Sequence, residues 1–299
     1  MHSLPTSELE TLAAALVKGA RLELYLTPKP GLVDLADCGS HADLSLPVME
    51  ASIDQVAEYL EAMVASLAAG EPFAAQRRIG MAAEQRLLAT LGTNTHKGFI
   101  FLSGMLLIAR RHAASSDEAA IRVALMGLAG EFFDSGERTA TNGQQARSKY
   151  GAGGIVAETL AGFPSIFAEA LPAFRTTRRQ SGDFFAASLA MLARLMQTVD
   201  DTTTLHRVGA PGLARIKRDG RELERRIAVG ADCIAYLEER NCEYIRMNIT
   251  MGGVADMLAM AYGCLIAGGE VAQDGDKVLL ARQTPPGARI GYGPSRCAR

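Results

Sequence analysis

The fold is decided by the stretch Ile53-Asp-Gln-Val-Ala-Glu-Tyr-Leu-Glu-Ala-Met-Val-Ala-Ser-Leu67. Its apolar residues recur every three or four positions, which places them on one face of an α-helix. The same spacing returns over residues 185–199. The sequence contains no run of alternating β-branched residues bounded by hairpin turns, and no strand–helix alternation. The chain is therefore predicted to be all-α.

Helical periodicity extends over most of the chain and predicts about ten helices in a single compact domain. The linkers are short, and no internal repeat or low-complexity segment divides the sequence. The predicted helices cover residues 7–26, 48–69, 75–91, 97–113, 116–133, 155–172, 183–199, 211–229, 231–246 and 252–267. From Gly268 onward Gly, Pro and Arg become frequent and the periodicity stops. We therefore expect one domain over 1–267 and a flexible tail over 268–299.

Composition narrows the classes of partner. The chain is 48% hydrophobic and 21% charged, which is typical of a soluble globular protein with a full core. A net charge of −2 without a long basic run argues against binding to nucleic acid. The five cysteines form no Cys-x-x-Cys pair and no signal peptide precedes them, which favours the reducing cytoplasm. The apolar run Phe99–Ala109 is too short to cross a bilayer, so no membrane partner is expected.

The first of several unusual polar turns is Thr27-Pro-Lys-Pro-Gly-Leu-Val-Asp34. Two prolines fix its backbone and end the first helix, and Gly31 permits a positive φ or the close approach of a ligand. In a turn this rigid, Lys29 suits a phosphate, and Asp34 suits a magnesium ion or a proton transfer. The alternative is a helix-terminating turn with incidental charges.

A second polar turn is Leu91-Gly-Thr-Asn-Thr-His-Lys-Gly-Phe-Ile-Phe101. Its amide, hydroxyl, imidazole and ammonium groups could converge on an anionic oxygen, and Gly98 lets a ligand approach the backbone. These groups belong to Asn94, Thr95, His96 and Lys97. The alternative is a polar loop that caps the following helix.

Two weaker signals lie on either side of the middle of the chain. Glu84 belongs to a largely apolar helix, where a carboxylate is costly to bury unless it is paired or liganded, although it could equally lie on an exposed edge. The glycine-rich segment 150–164 opens a predicted helix, and the backbone N–H groups at Gly153 and Gly154 could hold a phosphate. This segment is not a Walker A motif, because no Gly-Lys-Ser/Thr follows.

The last two turns combine acids with hydroxyls and glycines. Asp200-Asp-Thr-Thr-Thr-Leu-His-Arg207 places two adjacent aspartates beside an arginine, and magnesium with a polyphosphate would satisfy both charges. A cluster that caps the next helix is the alternative. Asn248-Ile-Thr-Met-Gly-Gly-Val-Ala-Asp256 again joins a glycine pair to a helix that carries an acid. No serine elbow, zinc helix or cysteine nucleophile motif occurs, so a phosphate-handling site is favoured over zinc hydrolysis.

Taken in order, these turns resemble the triphosphoribosyl-dephospho-CoA synthase family, which makes the prosthetic-group precursor for the acyl carrier proteins of citrate lyase and malonate decarboxylase. The resemblance covers roughly residues 20–267. The matching stretches are Lys29-Pro-Gly-Leu-Val-Asp34 with Gly39-x-His41-x-Asp43, Ile79-Gly-x-x-x-Glu84, Asn94-Thr-His-Lys-Gly98, Gly153-Gly with Glu158 and Ala161-Gly-Phe-Pro164, Asp201-Thr with Arg207, and Gly252-Gly-x-Ala-Asp256. The combination of the first and third stretches is specific, whereas either alone would not be.

The resemblance implies an all-α fold and an ATP-dependent transfer of the 5-triphosphoribosyl group to the 2′-hydroxyl of 3′-dephospho-CoA, with release of adenine. It implies ATP and 3′-dephospho-CoA as partners and Mg²⁺ as cofactor, and it leaves a homodimer open. The implied phosphate contacts are Lys29, His96, Lys97 and Arg207; the implied metal ligands are Asp34 and Asp201, with Asp200 and Asp256 as further candidates. Catalytic roles fall to Glu84, Glu158 and Asp201, and further substrate contacts to Gly31, His41, Asn94, Thr95, Gly98, Gly153, Gly154, Thr202, Gly252 and Gly253.

The chain departs from the family pattern at three places. It reads Val156-Ala-Glu-Thr159 where the family usually has Arg-Gly-Glu-Ala, and Thr203 where the family usually has Asn. It also reads Thr250-Met-Gly-Gly-Val-Ala-Asp256 where the family usually has Ser-Pro-Gly-Gly-Ser-Ala-Asp. The missing arginine could remove a contact to phosphate or CoA. Two alternatives follow: a divergent ATP-dependent transferase with another acceptor, and a non-catalytic nucleotide- or CoA-binding helical protein.

Overall fold

Residues 5–93, 95–134 and 142–272 are described by the computed structural model of the chain, and they confirm the all-α prediction. Within these ranges the chain forms twelve α-helices and one π-helical segment, and no strand. The helices are α1 Thr6–Tyr25, α2 Leu46–Ala68, α3 Phe73–Leu91, α4 Lys97–His112, α5 Glu118–Asp134, α6 Asn142–Tyr150, α7 Gly154–Leu160, α8 Leu171–Ser181, α9 Phe184–Thr198, α10 Thr202–Ala228, α11 Cys233–Met247 and α12 Gly252–Ala267; the π-helical segment Ser165–Ala170 precedes α8.

Most predicted helices agree with the structure within a few residues, but two differ. The helix predicted over 155–172 is broken after α7, because Gly162 and Phe163 take positive φ angles of 72° and 52°. Helix α10 begins at Thr202 instead of residue 211, and a kink at Gly209 (φ 71°, ψ −169°) joins its two parts. Helix α6 and most of α8, residues 173–181, lie outside the predicted helices.

The core is centred on α1 and α12, which pack against each other through glycines. A Cβ built on Gly19 would lie 2.3 Å from the carbonyl oxygen of Ala259, and one on Gly263 would lie 2.8 Å from Leu16 Cδ2. Only a residue without a side chain permits this close approach of the two backbones. The surrounding side chains are apolar and fully buried, so α1 and α12 form the rigid centre of the domain.

Helices α1, α4 and α12 come together at both ends of the helical bundle. At one end, Arg110 of α4 and Cys264 of α12 line a common cavity of about 240 Å³ with the start of α1. At the other end, Gly98 at the start of α4 contacts Asp256 near the start of α12. Glu23, near the end of α1, lies close enough to Asp256 to raise its pKa. The predicted polar turns therefore meet at this second end.

Among the described residues, no single helix is both long and apolar enough to span a bilayer; one pair, Gly154–Leu160 with Ser165–Ser181, passes on length and composition but is bent by 79°. Val271 is buried in the core, so the first residues after α12 pack against the domain. The remainder of the predicted tail, from residue 273, lies outside the described residues, as does Asn94.

Candidate active site

A carboxylate of α12 lies directly over the N-terminus of α4. A Cβ on Gly98 would lie 2.0 Å from Asp256 Oδ2, so only glycine leaves room for the carboxylate there. Burial raises the pKa of Asp256 well above its usual value, and the negative charges of Asp201 and Glu23 add to this effect. A hydrogen bond from the Phe99 backbone N–H opposes the shift. Asp256 is half-buried as a whole residue, and the largest effect on its carboxylate is burial.

Asp201 fastens the starts of two helices together. Its Oδ1 accepts a hydrogen bond of 2.8 Å from the Thr204 N–H in α10, and its Oδ2 accepts one of 3.0 Å from the Val254 N–H in α12. The Thr204 hydroxyl adds a 2.6 Å bond to the Thr250 carbonyl. Burial raises the pKa of Asp201, while these backbone donors lower it. Asp201 is thus the N-cap of α10 and holds the positive ends of α10 and α12 side by side.

Lys29 lies in the interior at the base of the first polar turn. Its ammonium is fully buried and donates to both the carboxylate and the backbone carbonyl of Glu23. Its backbone N–H donates to Asp34 Oδ2 at 2.8 Å, and Asp34 Oδ1 accepts from the Ala36 N–H at 2.7 Å. Burial raises the pKa of Asp34 to about 6 despite the positive charge of Lys29. The ammonium therefore already has a buried partner, and its contact with phosphate stays a prediction.

Gly31 fixes the same turn to the segment that precedes α12. It has a φ of 71°, and a Cβ on it would lie 2.3 Å from the Ile249 carbonyl oxygen. Its N–H donates to Asn241 Oδ1 at 2.9 Å. A left-handed glycine against a neighbouring backbone leaves no room for another residue.

Arg207 joins three segments of the site. Its guanidinium donates to the Ser40 carbonyl at 2.7 Å and to Asn248 Oδ1 at 3.3 Å, and it lies 3.3 Å from His41 Nδ1. His41 Nε2 in turn lies 2.8 Å from the Thr250 hydroxyl. Burial, with a contribution from Arg207, lowers the pKa of His41 to about 4, so this imidazole is neutral. Of Arg207 and His41, only Arg207 is positively charged at neutral pH.

The turn before α4 presents Thr95, His96 and Lys97. Ser52 of α2 hydrogen-bonds both the Thr95 hydroxyl and His96 Nδ1. Burial and the charge of Lys29 lower the pKa of His96 to about 4, so His96 cannot serve as a phosphate-binding cation at neutral pH.

Lys97 is the exposed cation of the same turn. It forms a 2.7 Å ion pair with Glu84 of α3, and its side chain remains 47% exposed whereas that of Glu84 is 28% exposed. Because both groups reach solvent, the pair contributes little to stability and Lys97 can exchange partners.

The glycine-rich segment reaches the site through Asp200. The Gly153 N–H points to Asp200 Oδ2 at 3.5 Å, and Lys217 binds the other oxygen at 2.7 Å. Glu158, on α7, accepts hydrogen bonds from the hydroxyl and the N–H of Ser165. Burial raises the pKa of Glu158, and the charge of Asp200 adds to this effect.

A family model described as ATP:dephospho-CoA triphosphoribosyl transferase (CitG) matches residues 9–271. The chain belongs to this family.

Three curated relatives agree with that assignment. The chain is 31% identical to the 2-(5''-triphosphoribosyl)-3'-dephosphocoenzyme-A synthase of Klebsiella pneumoniae, with 85% of this chain and 89% of the relative covered. It is 33% identical to a probable synthase of the same description from Salmonella typhi, with coverages of 87% and 91%. A probable synthase from Pseudomonas fluorescens is 33% identical, with coverages of 85% and 91%. No solved structure matches the chain.

In this triphosphoribosyl transferase family member, further predicted site residues lie at the starts of helices. The half-buried Thr202 is the first residue of α10, and a Cβ on Gly252 would lie 3.1 Å from the Thr203 hydroxyl. Gly154 begins α7 with a φ of 53°. Asn94 is the one predicted position outside the described residues.

Three residues of the site were missed by sequence reasoning. Glu23 and Ser52 lie among apolar residues of α1 and α2, and Asn241 lies within α11. A polar residue among apolar neighbours in a helix is a signal for a specific partner, and Glu23 and Ser52 carry it, whereas Asn241 lies among charged residues. What the sequence lacks is the identity of that partner, because the pairs form only when the helices pack.

The carboxylates of the described residues do not by themselves form a complete metal-binding site. Among the described residues, no group of three or more His, Cys, Asp or Glu side chains is arranged to hold a metal ion. Both oxygens of Asp34 and both of Asp201 accept backbone hydrogen bonds. Asp256 has two acidic neighbours, Asp201 and Glu23, and accepts a backbone hydrogen bond from Phe99. Asp256 is therefore the carboxylate here that a cation would stabilise most.

Proposed function

We propose that this protein transfers the 5-triphosphoribosyl group of ATP to the 2′-hydroxyl of 3′-dephospho-CoA and releases adenine. In this reaction the bond between the ribose anomeric carbon and adenine N9 breaks, and a bond from the acceptor 2′-oxygen to that carbon forms. Adenine leaves with the bonding electron pair and takes up a proton, while the acceptor hydroxyl loses its proton to a base. The site must hold a polyphosphate, receive two nucleotides and accept one proton.

One observation carries this proposal: the family-matching motifs, separated by 158 to 218 residues in sequence, touch one another. Gly98 contacts Asp256, Arg207 contacts His41, and Gly31 contacts the segment before α12. A set of unrelated helix caps would not converge in this way. The convergence at one end of the bundle supports a single site that is built from all the motifs.

The electrostatics of this end suit a triphosphate. The N-termini of α4, α10 and α12 meet there, and a helix N-terminus carries a partial positive charge with free N–H groups. Two side-chain cations, Lys97 and Arg207, are at least partly exposed at the same end. Lys97 can leave Glu84 for a phosphate, and Arg207 keeps further donors beyond its bond to Ser40.

Mg²⁺ is the cofactor that fits the donor set. Carboxylate oxygens are the ligands it prefers, and it is usually bound by one or two carboxylates together with substrate phosphates. Asp256 would hold it, because this carboxylate faces two other acids and a cation would relieve their repulsion. Bound Mg²⁺ supplies neutralisation of the triphosphate charge. Asp34 and Asp201 would support the site by fixing backbone N–H groups.

Proton transfer falls to Glu158 in this proposal. Burial raises its pKa towards the working pH, where a carboxylate is a more effective base. Glu84, in contrast, is ion-paired with Lys97 and partly exposed. We therefore assign Glu84 to holding Lys97 and Asp201 to positioning the starts of α10 and α12.

The test is the release of adenine from ATP, followed by chromatography with and without 3′-dephospho-CoA. The proposal expects release only when both substrates and Mg²⁺ are present. Release with a different hydroxyl acceptor, and none with 3′-dephospho-CoA, would identify a transferase of other specificity. Tight ATP binding without release under any condition would identify a non-catalytic binding protein.

A further inference from the structure

Ser52 places a hydroxyl on the largely apolar buried face of α2. It is fully buried in α2, next to Ile53, which is also fully buried. A buried hydroxyl without a hydrogen-bond partner is destabilising. Its partners are the Thr95 hydroxyl and His96 Nδ1, the latter at 2.6 Å. Both partners come from the single turn that begins α4, so Ser52 links α2 to the proposed active site.

The imidazole that Ser52 contacts is uncharged. Burial and the charge of Lys29 lower the pKa of His96 to about 4, so near neutral pH one ring nitrogen carries a proton and the other a lone pair. The ring is also held edge-on against Phe99, with centroids 6.1 Å apart and an interplanar angle of 67°. In the part of the chain that the structure describes, Ser52 is the only hydrogen-bond partner of this ring, and it binds Nδ1.

We propose that Ser52 is a positioning residue for the transfer reaction, because its hydroxyl donates to His96 Nδ1 and thereby keeps the ring proton on Nε2. The proposal rests on the proposed function. A hydroxyl donates one proton only, so the two hydrogen bonds must run in the same direction; in the proposed direction Thr95 donates to Ser52, and Ser52 donates to His96. The Thr95 and Ser52 hydroxyls then each donate one hydrogen bond. The ring N–H at Nε2 of His96 can donate to a phosphate oxygen of the substrate.

The opposite tautomer would not serve an anionic substrate. With the proton on Nδ1, the ring would donate to Ser52 and would turn a lone pair on Nε2 towards the substrate. A lone pair repels a phosphate oxygen, whereas an N–H group donates to it. A neutral donor also adds no positive charge beside the buried Lys29, which a protonated histidine would do. Ser52 thus selects the form of His96 that binds without being charged.

The experiment compares Ser52→Ala with the matched control Ser103→Ala. Ser103, in α4, is equally buried, but its hydroxyl donates only to backbone carbonyls of its own helix, those of Phe99 and Ile100. Nitrogen NMR of ¹⁵N-histidine-labelled protein reports which ring nitrogen carries the proton. In the wild type we expect the His96 proton on Nε2, and in Ser52→Ala a shift towards Nδ1. A loss of kcat of roughly tenfold to a hundredfold is expected for Ser52→Ala, and near-wild-type kcat for Ser103→Ala.

Two results would overturn the inference. The first is a wild-type spectrum with the His96 proton on Nδ1, which decides the question even where Ser52→Ala fails to fold. The second is a Ser52→Ala protein that keeps both wild-type kcat and the Nε2 proton. A wild-type enzyme that forms no product from ATP and 3′-dephospho-CoA would instead overturn the proposed function, and with it the catalytic use of the tautomer.

Discussion

Replacing Lys29 by Met should strongly destabilise the domain. The ammonium is fully buried, and it donates to the carboxylate and the carbonyl of Glu23, whose side chain is 5% exposed. Removing one partner of a buried ion pair leaves an uncompensated charge and typically costs about 3–5 kcal/mol. This is a large part of the roughly 5–15 kcal/mol that stabilises a typical domain. We expect the Tm to fall by on the order of 10 °C.

The pH dependence identifies the cause. Burial raises the pKa of Glu23, and Lys29 opposes the shift, so in Lys29→Met this pKa rises further. The folded variant then binds a proton that the unfolded chain has lost, and its stability increases as pH falls through the folded pKa. The slope reaches at most about 1.4 kcal/mol per pH unit.

Urea unfolding of wild type, Lys29→Met and the double variant Glu23→Gln/Lys29→Met between pH 5 and 8 tests this reasoning. The double variant should recover part of the lost stability and lose the pH dependence, because it buries no isolated charge. A Lys29→Met protein within about 1 kcal/mol of wild type at every pH would refute the buried pair as a major contribution to stability.

Further predictions concern the site and the core. Gly98→Ala would place a methyl 2.0 Å from Asp256 Oδ2, so kcat should fall roughly a hundredfold. The control Gly127→Ala, where a Cβ would have no atom within 4 Å, should keep wild-type kinetics. Equal kinetics for the two variants would exclude a role for the contact between Gly98 and Asp256. Arg207→Gln should raise the KM for ATP roughly tenfold or more through loss of a charged phosphate donor, and an unchanged KM in steady-state assays would remove that assignment. Gly263→Ala would place a methyl 2.8 Å from Leu16 Cδ2, so thermal unfolding should show a loss of about 1–3 kcal/mol; an unchanged Tm would contradict the proposed close packing.

The helices were predictable where one apolar face repeats without interruption, as in α2 and α9. Prediction failed where the apolar spacing continues through a break in the backbone. The break after α7 depends on positive φ angles at Gly162 and Phe163, and the residues around it keep a helical pattern. The start of α10 was predicted too late because Pro211 resembles a first-turn proline, whereas Asp201 in fact caps the helix.

The polar turns of the site were predictable because they combine charged residues with glycines at helix ends, which ordinary loops seldom do. Their partners were not, since periodicity describes one helix at a time. Ser52 and His96 are 44 residues apart in sequence, and only the packing of α2 against α4 brings them together. The same holds for the contact of Gly98 with Asp256. His96 was predicted to hold phosphate, and only the structure reveals the burial that keeps it neutral.

The central claim is that the converging turns form the site of triphosphoribosyl transfer. The most direct measurement is mass spectrometry of the acceptor after incubation of the purified protein with ATP, Mg²⁺ and 3′-dephospho-CoA. The account predicts a product heavier by one triphosphoribosyl group, one adenine released for each product molecule, and product formation roughly a hundredfold slower with Gly98→Ala under the same conditions. Unmodified 3′-dephospho-CoA with the wild-type protein, or product formation by Gly98→Ala at the wild-type rate, would contradict it.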